Sequence, residues 1–118
     1  KRSRILLHKS RDSHVQEMLL CVHRDSYVRP HKHPIGKSES YHIVEGILRV
    51  QIYTEDGVVC KLFYLGGTEG NFMHRIEGGI YHEPVAVSEF AVYHETYAGP
   101  FDKDEDVFYG PWSQPEKL

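Results

Sequence analysis

Three residues in the first half of the chain have the types and spacing that suit metal chemistry: His31, His33 and Glu39, with Gly46 seven positions further on. In an extended strand alternate side chains share a face, so His31-Lys32-His33 aims both imidazoles one way and sends Lys32 the other. Imidazole nitrogen and carboxylate oxygen bind divalent transition metals such as Zn, Fe, Mn, Ni and Cu, with an open position left for water or substrate. Glu39 follows a short loop and can bring a carboxylate to the pair, either as a ligand or as a group that orients a ligand histidine. A further nitrogen is needed. His82 is the candidate, because it follows the Gly78-Gly79 turn at the start of a strand.

These side chains need a scaffold, and the pattern around them predicts strands. Residues 15–23 read as one, with Met18, Leu20 and Val22 on one side and Leu19 and Cys21 on the other. Residues 27–33 extend again, with Tyr27, Arg29, His31 and His33 on one face. Pro30 lacks an N–H and places this stretch at a sheet edge or a strand end. After a loop over 34–38 the chain alternates Glu39, Tyr41, Ile43 against Ser40, His42, Val44. Glu45-Gly46 turns into a strand over 47–53, and Glu55-Asp56-Gly57 is a hairpin signal because Asp-Gly accepts positive φ cheaply. Strands over 58–65, 72–76, 80–87 and 90–97, with a loop over 66–70 and a turn at 77–79, bring the set to about eight. Such short strands with no helical period predict an all-β sandwich or barrel. The basic and polar start reads as exposed. From Gly99 the chain changes character: Phe101 and Trp112 predict a tail packed on the body, and the acidic run 102–106 reads as a solvated face.

At 118 residues the chain is read as one domain over 1–118. Its net charge of −3 is spread over both signs without a Lys/Arg stripe, which excludes a nucleic-acid footprint. No apolar run approaches the roughly 20 residues of a membrane span, and no signal-peptide pattern opens the chain, so a soluble cytoplasmic protein is expected. Cys21 and Cys60 lie in apolar runs and read as two buried free thiols. The nine histidines are dispersed; His8, His14 and His23 read as ordinary polar residues, and His42 as facing a partner subunit or a second sheet. An exposed sheet edge and the Tyr and Val content of the outer face predict a homodimer.

The run His31-x-His33, five residues, Glu39, six residues, Gly46 resembles the first cupin motif, and Gly79-x-x-His82 resembles the core of the second. Asp25, Glu77 and Ala86 stand where those motifs usually carry Gly, Pro and Asn. The resemblance implies a small single-domain jelly-roll barrel with His31, His33, Glu39 and His82 as ligands of one divalent metal. It narrows further. The segments 15–19 (Val-Gln-Glu-Met-Leu), 26–33, His94-Glu95-x-x-x-Gly99-Pro100-Phe101 and 111–116 are similar to the WbuC-type cupin metalloproteins of surface-polysaccharide and deoxysugar gene clusters. That similarity runs from about Arg11 to Glu116.

On this reading the chain is a metal-dependent isomerase or epimerase acting on a small sugar or sugar nucleotide. A divalent ion would stabilise the enediolate formed when a base removes the proton next to a carbonyl. Glu39, His74 and Glu95 are the candidate bases, Tyr41 and Tyr81 the candidate acids, and Arg29 a candidate contact for an anionic group. His74 also reads as a fifth ligand or an ordinary core histidine, and the tyrosines as core. Two other functions fit the same residues: a metal-dependent dioxygenase, and a sugar-binding or sensing module without turnover.

Overall fold

Alternation along the longer strands decides which residues meet inside. In the computed structural model, which describes residues 2–68 and 70–116, Leu20, Val22, Tyr41, Tyr93 and Ala91 point into a common core, and Ser40, His42 and Val44 turn away from it. The described residues form ten strands and one short helix: β1 (Arg2–Leu6), β2 (Val15–His23), β3 (His31–Lys32), β4 (Glu39–Glu45), β5 (Leu48–Tyr53), β6 (Val59–Leu65), β7 (Met73–Ile76), β8 (Tyr81–Ala86), β9 (Phe90–Ala98), α1 (Lys103–Asp106) and β10 (Phe108–Tyr109). They make two antiparallel five-stranded sheets, β1-β2-β9-β4-β7 and β10-β3-β8-β5-β6. The core of Leu20, Val22, Leu48, Val50, Leu65 and their neighbours lies between them. This is a cupin jelly-roll barrel with its C-terminal segment packed on the body. None of the helices described is long and apolar enough to cross a membrane.

Register in the first sheet lines inward residues up in rows. One row holds Gln16, Tyr97, Glu39 and Ile76; the next Leu6, Met18, Glu95, Tyr41 and His74; the third Arg4, Leu20, Tyr93 and Ile43. Gly46 makes the step from β4 to β5. Its φ is +82° and a Cβ there would lie 2.3 Å from the Phe90 carbonyl oxygen, so only glycine turns the chain at this point. The Asp56-Gly57 hairpin forms as predicted between β5 and β6. Trp112 of the C-terminal segment lies over it, donating from Nε1 to the Glu55 carbonyl at 2.9 Å and packing on Tyr53 and Tyr81.

Four expectations are corrected. The polar start is exposed, but it is also a strand: β1 pairs along its whole length with β2. An Arg-Ser-Arg alternation offers no apolar face, so the usual period-two signal is missing. The stretch 27–33 contracts to the two residues of β3, because its first half is fastened to the C-terminal segment by Tyr27 and Arg29 rather than by a ladder. The acidic run 102–106 is not all solvated, since Asp106 is buried. Cys21 is half-buried and Cys60, on edge strand β6, is exposed. Glu69, within the loop expected over 66–70, lies outside the described residues.

Candidate metal centre

Cross-strand pairing puts the first two imidazoles together. His31 on β3 lies directly opposite His82 on β8, and their ring centres are 4.5 Å apart. His33, just past β3, brings its ring to 5.1 Å from His31. These three come from one side of the barrel. Glu39, the first residue of β4, reaches across from the other sheet. One ligand-type atom from each of His31, His33, Glu39 and His82 lies within 4.8 Å of every other. His82 is fully buried and Glu39 and His33 nearly so.

The tautomer of each ring, when neutral, follows from its outer nitrogen. His31 Nδ1 contacts the Arg29 carbonyl at 2.8 Å, His33 Nδ1 the Asp106 carbonyl at 2.7 Å and His82 Nδ1 the Ile80 carbonyl at 2.9 Å. A carbonyl oxygen only accepts, so each Nδ1 carries a proton and donates it, which leaves Nε2 of a neutral ring with a free lone pair. Glu39 Oε2 is 2.8 Å from His33 Nε2 and Oε1 is 2.7 Å from His82 Nε2. Neither approach has the direction of a hydrogen bond: His33 Nε2, His82 Nε2 and Glu39 Oε1 are buried with no hydrogen-bond partner among the described residues. Buried polar atoms left without partners are costly. A divalent cation satisfies imidazole nitrogens and a carboxylate oxygen together, and the fixed outer nitrogens are the arrangement metal-ligating histidines use.

Electrostatics agree with this arrangement. Burial opposes ionisation of Glu39, but the imidazoles of His82 and His33 outweigh it and hold the carboxyl well below the usual range. Burial likewise works against charge on His33, yet Glu39 raises its pKa above the ordinary imidazole value. His31, desolvated and next to His82, falls to about 3 and stays neutral at any ordinary pH. Burial and the charge of Glu39 push Glu95 up to about 8. Burial also raises the phenols of Tyr41 and Tyr93 well above their usual range.

A cavity of about 510 Å³ opens beside the four residues; His31, His33 and Glu39 form part of its wall, with Tyr41, Tyr93, Tyr97 and Glu95 around them. Of the residues singled out in the sequence, the structure brings Tyr41, Glu95 and Arg29 to this cavity. Arg29 also holds the C-terminal segment, donating from Nε to Ser113 Oγ at 2.8 Å with its guanidinium over Tyr109. His74 and Tyr81 are not among its walls: His74 stacks on Phe63 with ring centres 3.8 Å apart, and Tyr81 packs on Trp112 with Lys32 over its ring. Sequence reasoning missed Arg2 and Arg4, which line the cavity from β1, and Asp106, whose carbonyl holds His33. The Arg-x-Arg alternation was the available signal for the first two. Asp106 had none, being one acid in an acidic run.

Among known proteins, the sequence model of a family described as a domain of unknown function, DUF6016, matches residues 1–65. No curated protein is a significant match. Solved structures show the same fold. A protein of Shewanella oneidensis superposes with a TM-score of 0.73 at 9% identity, over 90% of this chain and 72% of that one. A conserved Klebsiella pneumoniae protein with a double-stranded β-helix domain gives 0.69 at 11% identity, over 93% and 80%. KdgF from a Halomonas species gives 0.65 at 14% identity, over 87% and 83%.

Proposed function

The chain belongs to the DUF6016 family, and from the geometry of its own residues we propose that it is a cupin metalloenzyme that isomerises or epimerises a small sugar or sugar nucleotide. The observation that carries this reading is the convergence of buried, unpartnered imidazole and carboxylate atoms at the wall of a cavity that also holds a second carboxyl group. His31, His33, Glu39 and His82 would hold one divalent transition metal. When bound, the ion would polarise a carbonyl group and make the neighbouring C–H acidic.

The chain's own groups supply the rest. Glu95 stands one row along the sheet from Glu39 and lines the cavity. In the metal-free protein burial and the charge of Glu39 raise the Glu95 carboxyl to about 8. A bound cation would offset the Glu39 contribution, and burial would still hold the group above its ordinary value, suited to take a proton from carbon and return it. Tyr41, paired with Glu95 in register, offers a hydroxyl on the same wall. A volume of about 510 Å³ lies in the range of small-molecule sites. Likeness of the flanking segments to WbuC-type cupins supports a sugar in surface-polysaccharide synthesis as the substrate class.

Elemental analysis of the purified protein beside a His31→Ala/His33→Ala variant tests the metal. The expected result is about one equivalent of a transition metal in the wild type and little in the variant. Equal content in both overturns the reading. With metal loaded, a panel of keto and deoxy sugar nucleotides is assayed with wild type and Glu95→Gln. Turnover that the variant loses supports the reaction, and no turnover of any member removes it.

A further inference from the structure

The cavity beside the metal residues has one basic rim that the reaction does not use. Arg2 and Arg4 lie on β1 opposite Val22 and Leu20, two core residues of β2, so their Cβ atoms share the inward face of the sheet. Where β2 closes the core with aliphatic side chains, β1 presents two guanidinium groups to the cavity. Two residues apart on a strand, their Cα atoms are about 7 Å from each other, close enough for both forks to meet on one anion. Arg11 and Lys103 line the same cavity. None of these four side chains forms a close ion pair among the described residues; Arg4 and Arg2 act on Glu95 without pairing with it directly. Among the charged side chains lining the cavity five are cationic, Arg29 being the fifth, and three are acidic, Glu39, Glu95 and Glu116, so a positive balance remains although Arg4 and Arg2 act on Glu95.

We propose that Arg2 and Arg4 form an anion-binding subsite at the mouth of this cavity, and that the ligand is a small molecule with a phosphate or carboxylate group on that pair and its oxygen-bearing end toward His31, His33, Glu39 and His82. Planar guanidinium forks suit both anions, each accepting paired charge-assisted hydrogen bonds. The placement of the far end rests on the metal reading above; the anion subsite itself does not. Because Arg2 and Arg4 are exposed, binding through them weakens as salt is raised.

Calorimetric titration of the metal-loaded protein with glucose 6-phosphate, glucuronate and glucose tests the proposal, beside Arg2→Ala/Arg4→Ala and Arg2→Gln/Arg4→Gln variants. The wild type should bind at least one of the anionic sugars about tenfold or more tighter than glucose, as expected for one or two charge-assisted bonds. Both variants should lose that margin at unchanged metal content and melting temperature; the glutamine pair keeps the polarity and length of β1 if the alanine pair disturbs it. Which anionic sugar binds tells phosphate from carboxylate. A wild type with no preference for either anion, or a folded variant that keeps the preference, overturns the subsite. If the protein proves to hold no metal, inorganic phosphate alone is the probe: binding that needs Arg2 and Arg4 upholds the subsite while the metal reading fails, and equal binding by the variants rejects it.

Discussion

His33 donates its Nδ1 proton to the backbone carbonyl of Asp106, 73 positions along the chain and 2.7 Å away. The carboxylate of the same Asp106 accepts from Lys37 Nζ at 2.8 Å, from the Tyr97 hydroxyl at 2.9 Å and from the Asp102 backbone N–H at 2.6 Å. One buried aspartate thus fixes α1, and through its carbonyl fixes the ring of a metal residue.

Asp106→Ala removes three hydrogen bonds to a buried carboxylate and frees that carbonyl to shift. Metal affinity should fall about tenfold to hundredfold, the usual cost of losing a group that orients a ligand histidine. The fold should lose about 2–4 kcal/mol. Chelator competition and chemical denaturation read the two effects, and an unchanged metal affinity would show that the carbonyl keeps its place without the side chain.

Metal uptake should be opposed by acid. Glu39 raises the pKa of His33, so near neutral pH in the metal-free protein that ring carries more proton than a free imidazole and must give it up to a cation. His31, at about 3, gives up none. Affinity should therefore rise with pH through the ordinary imidazole range and above. Calorimetry in two buffers of different ionisation enthalpy counts the protons released, and zero release contradicts the assignment.

Glu95 makes the metal-free protein sensitive to base. Its folded-state pKa, raised by burial and by Glu39 from 4.5 to about 8, means that the folded state holds its proton more tightly than the unfolded chain does. The stabilisation is full below the unfolded value and is lost as pH rises through about 8. Glu95→Gln, which cannot ionise, should gain on the wild type by up to a few kcal/mol at alkaline pH compared with mildly acidic pH. Denaturation curves at the two pH values measure the difference; a pH-independent gap between the proteins rules this out.

Gly57→Ala should destabilise the hairpin beneath Trp112. The residue has φ +87° and a new Cβ would come 2.4 Å from the indole, so strain and clash add. A loss of about 1–3 kcal/mol is expected, and a melting temperature equal to wild type would mean that the C-terminal segment lifts off at no cost.

Much of this was legible in the sequence because period two is a local signal. The pattern at His31, His33, Glu39 and Tyr41 places all four on inward faces, and the strand over 15–23 appears with the bounds of β2. What stayed hidden depends on partners remote in the chain. β1 exists because β2 offers it an edge, and its Arg-Ser-Arg start, though it alternates, has no apolar face to mark it as a strand. Asp106 differs from Asp104 only in meeting Lys37 and Tyr97. His74 has inward parity near the site, whereas Tyr81 precedes His82 and takes the opposite face; Phe63 and Trp112, from distant segments, claim their rings.

The donors also divide between the sheets: three imidazoles from the side of β3 and β8, one carboxylate from β4. The gap an ion would have to fill is therefore set by how far apart the sheets stand, and that distance is set by aliphatic packing around Leu20, Leu48 and Val50. In this barrel the choice of metal becomes partly a property of the hydrophobic core, open to tuning by substitutions that never touch a ligand.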